Sequence, residues 1–65
     1  MSGKEVKEYV EFLRSQNPNV NLVITTIDNI KYSIKLDNIF FGIGRVHLGL
    51  LGSIKYKNIK SLGNE

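Results

Sequence analysis

The stretch "SIKYKNIKSL", Ser53 to Leu62, carries its apolar residues Ile54, Tyr56, Ile59 and Leu62 at spacings of two, three and three, with lysine between them. A step of two is the period of a strand, in which alternate side chains share a face. A step of three is one turn of tight helix, in which residues i and i+3 fall on one side. The stretch therefore predicts a short strand that points Ile54 and Tyr56 inward, one helical turn through Lys57-Asn58-Ile59, and a very short last strand supplying Leu62.

Upstream, "RVHLGL" alternates Val46, Leu48 and Leu50 with Arg45, His47 and Gly49, which predicts a strand closed by Gly52-Ser53. Before it, Ile30, Tyr32, Ile34 and Leu36 alternate with Lys31, Ser33, Lys35 and Asp37, the pattern of a strand with one buried and one wet face. "NIFFGIGR" interrupts that pattern. Ile39, Phe40 and Phe41 extend or bend the strand, and Gly42-Ile43-Gly44 supplies turn chemistry. Val20 to Ile27 is rich in β-branched residues and apolar on both faces, and Asp28-Asn29 marks a tight hairpin, since both residue types tolerate positive φ.

The N-terminal segment has a different period. Ser2-Gly3-Lys4-Glu5 has the form of a capping box, and Val6, Tyr9, Val10 and Leu13 follow at i, i+3, i+4 and i+7, with Phe12 beside them. Pro18 disfavours helical geometry at Asn17, so the helix should end near Ser15 or Gln16. Residues 1–65 thus read as one domain with a helix over about 3–16 and, over about 19–63, a five-stranded, strongly bent antiparallel small barrel. A helix on an open antiparallel sheet, as a strand-exchanged dimer, is the alternative. No repeat, low-complexity segment or linker interrupts the chain.

Sixty-five residues bury only about 60% of the surface that the unfolded chain exposes, so the core is marginal. Cysteine is absent and His47 is the only histidine, which removes disulfides and argues against a structural metal site. Self-association is the remaining common way to stabilise so small a core. No apolar run has the length of a membrane span and the N-terminus is too charged for a signal peptide, so the expectation is a cytoplasmic protein without membrane contact. Residues 1–28 carry three basic and four acidic side chains, residues 29–65 six and two. The basic excess of the second half suits a polyanionic partner.

One helix followed by five short bent strands, the last two joined by a tight helical turn, resembles the Sm-like small barrels, Hfq-type RNA chaperones included. The order of elements covers nearly the whole chain. Residue matches are the helix running into a proline and an apolar strand (Phe12-Leu13-Arg14, Pro18, Val20, Leu22), the "DNIK" hairpin at Asp28 to Lys31, and "YKNIKS" at Tyr56 to Ser61. The chain departs from the family pattern at Asn58, where Hfq-type proteins have histidine, and at Ser33-Ile34, where a glycine is usual. Asp37 is an approximate counterpart of the family aspartate. The resemblance implies homo-oligomeric rings in which the fourth strand of one subunit pairs with the fifth of the next, with single-stranded RNA reached through the loops after the second and fourth strands.

In a nucleic-acid reading, Lys31, Lys35, Lys55 and Lys57 contact phosphate, the Asn58 amide bonds a base edge, and Phe40, Phe41 or Tyr56 stack on bases. The structural alternatives are that Asn58 stabilises its turn and that most of the aromatics are core. His47 reads as an exposed or interface side chain, and Gly42-Ile43-Gly44 as a bend rather than a dinucleotide loop. Glu5, Glu8 and Glu11 lie among lysines on one helix, which suits dipole and i,i+4 pairing rather than acid–base chemistry. No catalytic constellation or cofactor motif stands out, so the expected protein is not an enzyme and needs no cofactor. A competing expectation is an assembly module that uses bare strand edges and the "IFFGIG" segment to bind protein, with no role for nucleic acid.

Overall fold

The amphipathic stripe of the N-terminal segment forms helix α1, Gly3–Gln16, with Val6 and Val10 fully buried and Tyr9 and Leu13 packed beside them. The computed structural model describes residues 3–64, so the Ser2 cap lies outside the described residues. Past the helix end the Asn17 amide still donates to the Leu13 carbonyl at 2.9 Å, and Pro18 follows immediately.

Six strands follow: β1 (Asn21–Thr26), β2 (Lys31–Lys35), β3 (Phe40–Gly42), β4 (Arg45–His47), β5 (Ser53–Lys55) and β6 (Ile59–Asn64). They form two antiparallel three-stranded sheets, ordered β2-β1-β6 and β3-β4-β5. The strict alternation of β1 turns Leu22, Ile24 and Thr26 inward. One core unites the layers: Val6 and Val10 from α1, Leu22, Ile24, Ile34 and Ile59 from the first sheet, Val46 from the second, and Leu36, Ile39 and Leu48 from the connections.

The β1–β2 hairpin forms where Asp28-Asn29 predicts it. Thr26 and Ile30 face each other across a three-residue loop, the Thr26 amide donating to the Ile30 carbonyl at 2.9 Å, and Asn29 takes φ of 64°. That is the left-handed conformation which such loops require and asparagine tolerates. The β3–β4 hairpin turns on Ile43-Gly44, with Gly44 at φ of 71°.

The sheet does not close into a barrel, and there are six strands rather than five. The expected long second strand is divided into β2 and β3 by a tight helical turn, Leu36–Asn38. Leu36 and Ile39 are driven into the core there, and their carbonyls accept hydrogen bonds from the Arg14 guanidinium, at 2.8 Å for Ile39, instead of from a neighbouring strand. A matching turn, Tyr56–Asn58, separates β5 from β6, one residue earlier than the spacing of three predicts. No ladder joins β5 to β6. The last strand is six residues long, not very short.

The third predicted strand also ends early. After Leu48 the chain enters a turn at Gly49–Leu51, so Val46 and Leu48 are buried as expected whereas Leu50 projects fully into solvent.

Candidate nucleic-acid interface

Register decides which cations meet. In the β4–β5 pair Arg45 lies directly opposite Lys55. Like charges at directly opposed positions repel, so the pair is a small cost to the sheet. The Arg45 Nε donates to Ser53 Oγ at 2.9 Å, which fixes the root of the guanidinium. Lys57 follows from the Tyr56–Asn58 turn, and among the described residues no carboxylate forms an ion pair with Arg45, Lys55 or Lys57.

These three cations line an open cleft of about 600 Å³ whose opposite wall is the β1–β2 hairpin, with Ile27, Asp28, Ile30 and Tyr32. Two hydrogen bonds hold that wall in place. The Ile27 amide donates to the Asn58 carbonyl at 3.0 Å, and Lys60 Nζ donates to Asn29 Oδ1 at 3.0 Å. Inside the hairpin, Thr26 is only 5% exposed, and its hydroxyl donates to Asp28 Oδ1 and accepts from the Ile30 amide at 3.2 Å. The acceptor capacity of Asp28, the one carboxylate on the cleft among the described residues, is thereby partly occupied. What remains is a slot with a cationic side, an apolar and aromatic side, and Asn58 on its lining.

Of the residues singled out from sequence, Lys55, Lys57 and Asn58 come together on this cleft. Lys31 stands exposed on β2, and Lys35, on the same strand, lines a second cleft beside Leu48–Leu51. Phe40 is 59% exposed on β3, opposite His47. Phe41 and Tyr56 stack on each other, ring centroids 6.4 Å apart and planes within 9°, and both pack against the core, so each gives one face to the other. Burial pushes the Tyr56 hydroxyl above the ordinary tyrosine pKa. Its ring also lies against the start of α1, where a Cβ on Gly3 would come within 2.9 Å of Cε2.

His47 is exposed, and its Nε2 lies where a Cβ on Gly42 would be 2.7 Å away, so the first glycine of Gly42-Ile43-Gly44 makes room for the imidazole. Sequence reasoning missed Arg45 and Tyr32 as lining residues. Alternation marked Tyr32 as inward-facing, but only strand register brings Arg45 against Lys55.

Among the described residues no three His, Cys, Asp or Glu side chains gather to hold a metal ion, and no helix is long and apolar enough to cross a membrane. No protein-family model matches the chain, and neither a curated protein nor a solved structure matches it.

Proposed function

We propose that this chain is a non-enzymatic, Sm-like protein that binds single-stranded RNA in the cleft between β5 and the β1–β2 hairpin and self-associates through its bare strand edges. The observation that carries the reading is the Arg45–Lys55 pair, two cations held opposite each other on the wall of an open cleft with no ion pair to a carboxylate among the described residues. A phosphate bound between them replaces repulsion with two charge-assisted hydrogen bonds. Lys57 takes the next phosphate, Asn58 offers its amide to a base edge, and Tyr32 with Ile27 and Ile30 supplies the surface against which a base lies. The helix-first order of elements and the tight turn between the last two strands support the Sm-like reading, with the last two strands each offering an unpaired edge to a neighbouring subunit.

Fluorescence anisotropy with oligo-A and oligo-U tests this on wild type and the Lys55→Glu/Lys57→Glu double variant. Wild type binds both at low salt and the double variant loses binding while keeping its oligomeric mass. Absence of binding by wild type at low salt refutes the reading. The second reading, an assembly module without nucleic acid, draws on Phe40, Ile43, Leu50 and Leu51, all large apolar side chains left exposed. It predicts that partner capture survives the double substitution and that no oligonucleotide binds.

A further inference from the structure

The second cleft, about 560 Å³, lies between β2 and the Gly49–Leu51 turn and is lined by Ile34, Lys35, Asn38, Leu48, Leu50 and Leu51 among others, with no carboxylate among the described residues on its walls. Leu50 is fully exposed and Leu51 is 60% exposed, so the groove presents apolar surface with a cation at its rim. Elsewhere on the molecule, Glu8, Phe12 and Gln16 follow one another at i, i+4 and i+8 on the outer face of α1. Phe12 is 58% exposed, and Glu8 pairs with no cation among the described residues.

We propose that the Glu8–Phe12–Gln16 stripe of one copy docks into the Lys35–Leu50–Leu51 groove of a second copy, with Phe12 between the leucines and Glu8 against Lys35. The two surfaces complement each other in charge and in apolar character: among the described residues the groove has a cation and no acid, and the stripe has an acid beside its one large apolar residue. A chain cannot satisfy its own groove, because Val6 and Val10 fasten the opposite face of α1 to the core. A second copy brings the missing half. The contact joins different patches on the two copies, so it propagates head to tail and either closes a ring or extends a chain. It is independent of strand-edge pairing and of RNA binding.

Because the chain contains no cysteine, cross-linking tests the contact directly. Phe12→Cys and Leu50→Cys variants are mixed in equal amounts and oxidised mildly. The docked geometry yields mixed disulfide dimers far in excess of either homodimer, whereas random coupling gives only about twice as many, and that outcome overturns the proposal. Charge reversal gives a second readout in sedimentation velocity across a concentration series. Glu8→Lys and Lys35→Glu should each weaken the helix-to-groove association roughly fivefold, and the two together should restore it. Equal weakening in the single and double variants also overturns it. Neither substitution touches the cleft at Lys55, so loss of this contact with RNA binding intact is distinguishable from failure of the RNA reading.

Discussion

Arg14 is the residue whose structural role is least expected from its position. It lies on an otherwise ordinary helix, yet its guanidinium donates to the carbonyls of Leu36 and Ile39 at the turn between β2 and β3, the Leu36 carbonyl also accepting from the Ile39 amide. Its Nε is buried without a partner, so the guanidinium is seated in protein rather than in water. Arg14→Ala removes both bonds and is expected to destabilise the fold by about 2–3 kcal/mol, read as a lower urea midpoint, with Arg14→Lys recovering part of the loss. At Lys55 the expected direction is opposite. Lys55→Glu converts the repulsive pair with Arg45 into an attractive one, so thermal stability should rise by about 0.2–1 kcal/mol while RNA affinity falls. A fall in both would mean that Lys55 serves the fold and not a ligand. Tyr56 sets an alkaline limit. Burial raises its pKa, so the folded protein keeps that proton to higher pH than the unfolded chain, and stability declines as pH rises through the ordinary tyrosine value of 10.0. Urea midpoints between about pH 9 and 11 should fall less steeply for Tyr56→Phe than for wild type.

Among the elements, the β1–β2 hairpin matters most to the site because it forms one whole wall of the cleft. Its loop depends on Asn29 in the left-handed region, where a β-branched residue is strained. Asn29→Val should cost about 1–2 kcal/mol and weaken RNA binding, whereas Asn29→Gly should preserve the turn. Chemical denaturation and anisotropy on the same samples check both effects. This hairpin was legible because Asp28-Asn29 announces itself between two alternating runs, and α1 was legible from its apolar stripe and Pro18. The Tyr56–Asn58 turn was legible, one residue displaced, from the spacing of apolar positions. Nothing comparable marks Leu36–Asn38, since a strand pattern enters it and its inward residues, Leu36 and Ile39, would also suit a continuous bent strand. The turn that divides the strand is held by the Arg14 guanidinium, 22 residues earlier on a helix, a long-range contact that no local pattern encodes. Leu50 misleads for the reverse reason: its alternation with Val46 and Leu48 persists after the backbone has left the strand.

At the scale of the whole molecule, two three-stranded sheets share a core too small to cover Phe12, Leu50 and Leu51, and they leave strand edges unpaired. Such a domain gains by association, through its edges, through its helix and groove, or through both. The same small size places the cations of β4, β5 and the following turn within one cleft, so that Arg45, Lys55 and Lys57 act on a ligand together. Two of those three were visible as the lysines around Tyr56; Arg45 entered only through its register. The most direct test is the salt dependence of RNA affinity. If the two phosphates held by the Arg45–Lys55 pair and by Lys57 are neutralised in the cleft, the logarithm of the association constant for oligo-U should fall with the logarithm of salt concentration at a slope of about −1.4, about 0.7 for each phosphate, and about half of that slope should be lost in the milder Lys55→Gln/Lys57→Gln variant, which leaves Arg45 in place. A flat dependence, or one unchanged by the double substitution, would contradict a phosphate-binding cleft.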